Sequence, residues 1–500
     1  MLFNSIHFML FFPIVLFLYF IIPRKLRSIW ILAASYYFYM SWNPKYVVLI
    51  ALSTIITFGS GLALEKCQAS KRRKKKFWKK TVLVSCLFVN LLMLGVFKYG
   101  NFFLEECDAL LRLFGLEPPI RQFGILLPVG ISFYTFQALG YIIDVYKNDI
   151  AAEHSLLRYA LFVSFFPQLV AGPIERSYNL LKQIHGIEKI QLWNAKRVTS
   201  GAILMIWGLF LKMVIADRIS ILVDTVYDNY QMYGSTELCL AAVGFALQIY
   251  CDFGSYSIIA AGAAKIMGFT LMENFYAPYF AVSVKDFWRR WHISLSSWFK
   301  DYLYIPLGGS YKGKIHQAVN KMIVFSVSGL WHGADWRFVV WGGVHGFYQI
   351  FADTSISFQN KCLDSLCVKR NCFSWKLLQM TVTFILIDFA WIFFRADSVK
   401  DALYFIKRIF ICPTPWTLFN GDIYTLGLDR PEMNILLFSI FLLGCVDLIR
   451  VHKQCLLDEF LFEQNLWFRW GAVAGLIVMI FVFGQYGPSF DAQQFIYFQF

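Results

Sequence analysis

Residues 283–315 read SVKDFWRRWHISLSSWFKDYLYIPLGGSYKGKI, and residues 326–346 read SVSGLWHGADWRFVVWGGVHG. Four of the chain's eight histidines lie between residues 283 and 346. In the first segment apolar residues recur at steps of three and four, which predicts a helix with one apolar face. Lys285, Arg289 and Lys300 fall to one side of that face, and His292 lies at the border. The apolar face consists of Trp288, Trp291, Leu295, Trp298, Phe299 and Tyr302.

The second segment places His332 between Trp331 and Gly333 in an apolar setting. An ionisable side chain is costly to bury there and needs a partner or a function. An imidazole shielded from water can accept the proton of a hydroxyl that attacks an activated acyl carbon. His332 is therefore the first candidate for catalysis, and a hydrogen-bonded packing role is the alternative. His292, His316 and His345 are further candidates with the same alternative.

The composition places the chain among membrane proteins. Hydrophobic residues make up 58% and charged residues 16%, with a mean hydropathy of +0.54, which is too apolar for one soluble core. The net charge of +14 comes from basic residues in short loops between apolar runs, which is typical of cytoplasmic loops. We predict an all-α polytopic integral membrane protein in the lipid bilayer, with no nucleic-acid partner.

Apolar runs follow one another along the whole chain, and at about 20 residues per span they allow roughly ten to twelve membrane helices, some of them partial. No repeat, linker or soluble segment interrupts them, so we predict a single integral-membrane domain over residues 1–500. Two runs are broken. Residues 126–147 carry Pro128 and Gly130 together with Gln137 and Asp144, which predicts a helix that lines a cavity. The run Leu156–Ala171 ends in FPQLVAGPIER, which predicts a re-entrant or sharply ended helix.

The basic loops predict the orientation. The first apolar run has no basic residue before it and Arg24, Lys25 and Arg27 behind it, which predicts a retained helix with its N-terminus outside. KRRKKKFWKK at residues 71–80 is the strongest cytoplasmic marker. We therefore predict a multi-pass protein with this loop in the cytoplasm.

Several familiar sites are absent from the sequence. GGSYKGKI at residues 308–315 has the spacing of a phosphate-binding loop, but Ile315 stands where a Ser or Thr must bind magnesium. The motifs of serine hydrolases, zinc proteases and dinucleotide-binding folds do not occur. Cys362, Cys367 and Cys372 lack the tight Cys-x2-Cys pair and the fourth ligand of a zinc site. We assign no metal and no bound cofactor.

Long motifs resemble the membrane-bound O-acyltransferase (MBOAT) family in its bacterial alginate O-acetylase branch. The main pair is FWRRWHISLSSWFKDYLYIPLGG at residues 287–309 and SGLWHGADW at residues 328–336. Similar segments in the same order are LPVGISFYTFQALGYIIDVYK at 127–147, FPQLVAGPIER at 166–176, FAWIFFRADS at 389–398 and FIYFQF at 495–500. The resemblance covers nearly the whole chain.

This resemblance implies a ring of membrane helices around a thinned centre, with a funnel on each face. It assigns the family's invariant histidine to His332 and its second polar position to His292. It also implies acetyl transfer in a bacterial cell membrane, from acetyl-CoA or an acyl-carrier thioester in the cytoplasm to hydroxyls of an exported cell-surface polysaccharide. An extracytoplasmic partner protein that receives or transfers the acyl group is expected.

Two other functions stay open, namely D-alanyl transfer to teichoic acid within the family and a non-catalytic polysaccharide or lipid transporter.

Other residues are candidates for binding substrate or donor. Lys285, Arg289 and Lys300 suit the phosphates of coenzyme A or of phosphopantetheine, although anchoring at the membrane interface is an equal alternative. Trp331 and Asp335 belong to the SGLWHGADW motif, and His345 lies on the WGGVHG segment at residues 341–346, which also resembles the family. All three are candidates for binding substrate or donor. Close backbone approach is expected at Gly329, Gly333, Gly342 and Gly343.

Overall fold

The computed structural model describes residues 1–70, 74–116, 124, 127–486 and 495. All regular structure in these ranges is helical. The contacts group the chain into two compact units, one formed by Met1–Gly201 with Ala260–Met272 and the other by Ala202–Ile259 with Glu273–Phe500. The prediction of a single domain stays a prediction.

The first unit contains eight α-helices among its described residues. They are α1 Ile6–Ile21, α2 Arg27–Met40, α3 Val47–Ala69, α4 Lys75–Leu94, α5 Gly100–Leu113, α6 Ile131–Lys147, α7 Leu156–Ser164 and α8 Ser177–His185. A π-helical turn, Gly95–Tyr99, joins α4 to α5. Two further helices contribute to both units, and these are α9 Ala195–Phe210 and α11 Ser235–Met267.

Small and polar side chains hold α3 against its neighbours in the first unit. Ser53 donates a hydrogen bond of 2.7 Å to Asn90 Oδ1 on α4, and Thr57 Oγ1 accepts one of 2.7 Å from the Tyr159 hydroxyl on α7. A Cβ at Gly61 would lie 2.7 Å from the Tyr141 hydroxyl on α6. Such contacts are typical of membrane helices, whose association does not depend on burying apolar surface from water.

The broken segments of the first unit are buried and hydrogen-bonded. Gln137 Nε2 donates to the Phe162 carbonyl at 2.6 Å, and Asp144 accepts a hydrogen bond of 2.7 Å from the Ser177 hydroxyl. The structure thus gives both residues packing partners within the protein. The predicted sharp helix end is present, because α7 ends at Ser164 and a turn follows in which Gly172 N–H donates to the Gln168 carbonyl at 2.9 Å.

The second unit continues the α-helical pattern. Its further helices are α10 Asp217–Asp228, α12 Val284–Arg290, α13 Ile293–Phe299, α14 Lys314–His332, α15 Trp336–Ser365, α16 Phe373–Arg395, α17 Val399–Ile411, α18 Thr417–Asn420, α19 Arg430–Lys453, α20 Leu457–Glu463 and α21 Leu466–Phe483. A π-helical segment, Leu211–Ala216, joins α9 to α10, and another, Lys300–Tyr304, follows α13.

Helices α14 and α15 form a tightly packed hairpin. A Cβ at Gly329 would lie 2.1 Å from the Phe338 carbonyl oxygen, and one at Gly342 would lie 2.2 Å from the Phe325 carbonyl oxygen. A Cβ at Gly333 would lie 2.1 Å from the Phe338 ring. The predicted close approach is therefore present at these three glycines. It is wrong for Gly343, where a Cβ would have no atom outside its own helical turn within 4 Å.

Seven helical stretches in the described residues are long and apolar enough to cross a membrane. They are Pro44–Ala69, Lys75–Leu113, Ala195–Asp228, Ser235–Met267, Phe373–Arg395, Arg430–Lys453 and Leu466–Phe483. The shorter α1 is also apolar. The all-α, polytopic membrane class is confirmed, whereas the count of ten to twelve helices and the two-sided funnel stay predictions.

Candidate functional site

The predicted helix around His292 is broken at that residue. Helix α12 ends at Arg290, Trp291 is extended, and His292 has φ 43° and ψ 53° in the left-handed region. A non-glycine residue rarely adopts this conformation and persists there only when its surroundings hold it. Here the preceding loop does so, because Tyr276 N–H donates to the Arg290 carbonyl and Ile293 N–H to the Asn274 carbonyl, each at 2.9 Å.

This break corrects the predicted position of His292. The sequence places it on a helix edge beside Arg289, but the structure buries it completely, with 0% of its surface exposed. Its ring packs edge-on against Phe253 at 4.7 Å and against Trp331 at 5.8 Å between centroids. The left-handed turn reverses the chain and directs the imidazole inward. Burial lowers the pKa of His292 to about 3, so its ring is neutral at physiological pH.

His332 is the last residue of α14 and is 4% exposed. Its ring lies edge-on to Trp331 at 5.0 Å, to Trp341 at 5.1 Å and to Phe394 at 5.4 Å. The ring of His292 is 6.4 Å away. The two histidines predicted to carry the chemistry are therefore neighbours inside an aromatic enclosure.

His345 is on α15 and is completely buried, with 0% of its surface exposed. Trp288 Nε1 donates a hydrogen bond of 3.3 Å to His345 Nδ1, and the Trp341 ring is 4.9 Å from the imidazole. Trp341 thus contacts both His332 and His345. Trp341 thus connects His345 to the aromatic enclosure of His332.

Asp335 has a local role in the helix that follows His332. As the N-cap of α15 it accepts a hydrogen bond of 2.8 Å from Arg337 N–H, and it lies 3.6 Å from Arg337 Nε. A capping carboxylate satisfies an otherwise unpaired N–H of the first helical turn. The structure thus places Asp335 in support of the turn between α14 and α15.

A cavity of about 500 Å³ opens beside the two histidines. Its wall includes Ile293, which follows His292, and Ser328, which is one helical turn before His332. The imidazoles themselves are not among the lining groups. The full lining is Lys285, Trp288, Arg289, Ile293, Leu295, Ser296, Ser297, Phe299, Lys300, Tyr304, Gln317, Lys321, Val324, Phe325, Ser328 and Gln349.

The cavity brings together the three predicted basic residues, Lys285, Arg289 and Lys300, and adds Lys321. Lys321 is paired with Asp353. The first three have no carboxylate within ion-pair distance among the described residues. A wall of this kind suits a ligand with an apolar part and several negative charges.

The sequence analysis did not name two buried polar residues of the second unit, Asn274 and Lys212. Asn274 lies in a loop and gave no signal, although it contacts His292. Lys212 was detectable as a lone cation within an apolar run. In the structure it is buried between Asp217 at 2.8 Å and Asp252 at 2.6 Å.

Comparison with known proteins gives one consistent family. The profile of MBOAT, the membrane-bound O-acyltransferase family, matches residues 147–387. A probable alginate O-acetylase, AlgI, of Pseudomonas aeruginosa is 33% identical over 456 residues, which cover 90% of this chain and 82% of that protein. A peptidoglycan O-acetyltransferase of Helicobacter pylori is 33% identical, with 76% of this chain and 73% of that protein covered.

The chain is also similar, over a shorter range, to teichoic acid D-alanyltransferases. A teichoic acid D-alanyltransferase of Bacillus subtilis is 27% identical over 244 residues, which cover 46% of this chain and 59% of that protein. The acetyl-transferring relatives are thus similar over a larger part of the chain.

Proposed function

This chain belongs to the membrane-bound O-acyltransferase family and is an O-acyltransferase, and we propose that it transfers an acetyl group from a cytoplasmic thioester to hydroxyls of an exported cell-surface polysaccharide. The observation that carries this proposal is the pair of buried histidines beside a cavity with a basic wall. Relatives named as acetylating alginate and peptidoglycan support the acetyl group and the acceptor class.

In this proposal His332 acts as the general base. The acceptor hydroxyl oxygen attacks the thioester carbonyl carbon while His332 takes the hydroxyl proton. The carbon–sulfur bond then breaks, the thiolate receives the proton, and the products are an ester and a free thiol. The aromatic enclosure of His332 supports this role, because exclusion of water prevents hydrolysis of the thioester. His292 holds or orients the reacting groups.

The donor in this proposal is acetyl-CoA or a phosphopantetheine thioester on a carrier. Lys285, Arg289 and Lys300 attract its phosphates, and the apolar wall of the cavity accepts the pantetheine arm. Their convergence on one cavity next to Ile293 and Ser328 supports donor binding over scattered anchoring at the membrane interface. Lys321 is a basic residue of this wall that the sequence analysis did not include.

The orientation completes the proposal. The N-terminus lies outside the bacterial cell membrane, the lysine-rich loop lies in the cytoplasm, and the acyl group passes outward. Residues 71–73 of that loop lie outside the described residues. An extracytoplasmic partner protein receives the acyl group or delivers it to the polysaccharide.

The test is a transfer assay with purified protein in lipid nanodiscs and acetyl-CoA labelled in the acetyl group. Acceptors are oligosaccharides of alginate and peptidoglycan fragments, and ester formation is measured together with released thiol. We expect one ester for each thiol released, and no ester with the His332→Ala variant. Transfer with a D-alanyl carrier thioester and none with acetyl-CoA would favour the teichoic acid reaction instead, and movement of intact oligosaccharide without ester formation would favour a transporter.

A further inference from the structure

A second polar side chain, Asn274, contacts His292 and lies outside the motif quoted above at residues 287–309. Asn274 lies in the loop after α11 and is buried, as are His292, Ser294 and Ser257 around it. His292 Nδ1 is 3.1 Å from Asn274 Oδ1. The same oxygen accepts hydrogen bonds from the Ser294 hydroxyl at 2.9 Å and from Ser294 N–H at 3.3 Å.

These contacts determine which end of the Asn274 amide faces His292. The backbone N–H of Ser294 can only donate, so the atom facing it is the amide oxygen. The amide nitrogen then points the other way, where it donates to Ser257 Oγ at 3.1 Å. A flipped amide would set two donors against each other at Ser294.

The amide in turn determines the proton position on His292. Because Asn274 Oδ1 can only accept, His292 Nδ1 must donate, and it therefore carries the ring proton. Burial keeps the ring neutral, so only one of its nitrogens bears a proton. Nε2 is left with the lone pair.

We propose that Asn274 is a positioning residue that holds His292 as the Nδ1–H tautomer, so that His292 presents Nε2 as a hydrogen-bond acceptor to a neighbouring hydroxyl of the acceptor, not to the hydroxyl that reacts. A histidine in this state orients the acceptor without itself being charged, and the proton of the reacting hydroxyl goes to His332. The catalytic part of this inference rests on the proposed function. The tautomer does not, since it follows from the contacts alone.

The main chain shows that this arrangement is built into the fold. Asn274 accepts from Ile293 N–H through its carbonyl and from Ser294 N–H through its side chain. These are the first N–H groups of α13, which have no acceptor within their own helix. One residue thus supports both the left-handed turn and the ring of His292.

The test compares Asn274→Ala, which removes the acceptor, with Asn274→Asp, which keeps an acceptor of the same shape. Ser257→Ala is the matched control, because it removes only the partner of the amide nitrogen. The ¹⁵N signals of histidine give the tautomer in wild type and variants, with the His292 signal identified by its loss in His292→Gln. Acyl transfer per folded molecule is measured in parallel across pH.

We expect the Nδ1–H tautomer of His292 in wild type and in Ser257→Ala, and its loss in Asn274→Ala. We expect Asn274→Ala to lower kcat by about 10- to 100-fold with little change in the donor KM, as for other partners that orient a histidine. Asn274→Asp restores the Nδ1–H proton. Its added charge also favours the imidazolium, because a neighbouring carboxylate raises a histidine pKa, so the acid limb of its pH profile moves to higher pH.

The proposal is overturned if His292 is the Nε2–H tautomer in wild type, or if Asn274→Ala leaves the tautomer or kcat unchanged. It is also overturned if Asn274→Asp loses activity as fully as Asn274→Ala at every pH. If the tautomer results are as expected but no variant or wild type forms ester, the proposed function fails and the assignment of the His292 proton stands.

Discussion

The rings of His292 and His332 lie 6.4 Å apart. His292 is in the break between α12 and α13, and His332 is the last residue of α14. Trp331 packs against both rings. Two imidazoles this close in a buried apolar enclosure do not both become charged, because each charge would lack hydration and would repel the other. The pair can therefore hold one transferred proton at a time, as an acyl transfer to a hydroxyl requires.

We predict that His332→Ala lowers acyl transfer per folded molecule by at least about 100-fold, because the proton acceptor is lost. Thermal stability in detergent should stay close to wild type, since alanine adds neither charge nor bulk. His316→Ala is the matched control on the same helix, where the imidazole contacts the Leu307 carbonyl. Substantial activity in His332→Ala, or a lower melting temperature with normal turnover, would contradict the catalytic role.

Removing single charges from the cavity wall should weaken donor binding. We expect Lys285→Gln and Arg289→Gln each to raise the KM for acetyl-CoA by about two- to tenfold with kcat nearly unchanged, and the effect should shrink at high salt. Lys361→Gln, an exposed position away from the cavity, is the control. Equal KM values in all three variants would favour anchoring at the membrane interface for these residues.

The glycines of the α14–α15 hairpin allow a matched comparison. Gly342→Ala should destabilise the protein by roughly 1–3 kcal/mol or more, because its Cβ would lie 2.2 Å from the backbone oxygen of Phe325. Gly343→Ala should be neutral or stabilise by about 0.5–1 kcal/mol, because it meets nothing within 4 Å and alanine favours a helix. Thermal unfolding in detergent measures both, and equal melting temperatures would show that the helices do not approach this closely.

The buried ion cluster of Lys212, Asp217 and Asp252 should be a strong determinant of stability. We expect Lys212→Met to cost about 3–5 kcal/mol, because it leaves two buried carboxylates without their cation. Combining Lys212→Met with Asp217→Asn and Asp252→Asn should recover much of this loss. The melting temperatures of the single and triple variants decide the question, and a triple variant no more stable than Lys212→Met would argue against charge imbalance as the cause.

The topology can be tested with reporter fusions at the N-terminus and after Lys80. We expect a periplasmic signal from the first and a cytoplasmic signal from the second, because basic loops are retained on the cytoplasmic side. A fusion after Glu106, in α5, extends the series. An extracytoplasmic signal after Lys80 would reverse the side assigned to the donor.

The membrane class and most helices could be predicted from the sequence. Long apolar runs have one stable solution in a bilayer, since each backbone polar group must be satisfied within its own helix. The sequence shows apolar runs at about Tyr46–Leu64, Leu377–Phe394 and Trp467–Phe483, and these lie within the helical stretches Pro44–Ala69, Phe373–Arg395 and Leu466–Phe483. His332 was predicted as a site residue because a polar residue in an apolar segment stands out along the chain, whereas His292 was added by the family resemblance.

The helix break at His292 and the surroundings of individual side chains could not be predicted from the sequence, because they depend on contacts between segments that are distant along the chain. The apolar spacing around His292 is equally compatible with one continuous helix, but the structure breaks the helix there, and hydrogen bonds from the loop at Asn274 and Tyr276 hold the break. The same holds for Gly342 and Gly343, which are adjacent in sequence but differ in what their Cβ would meet. By itself the sequence determined which segments are helical and apolar, because that depends on local periodicity. The tertiary structure alone decided which side chains meet, because burial and hydrogen bonding of His292, Lys212 and Gly342 depend on partners supplied from elsewhere in the fold.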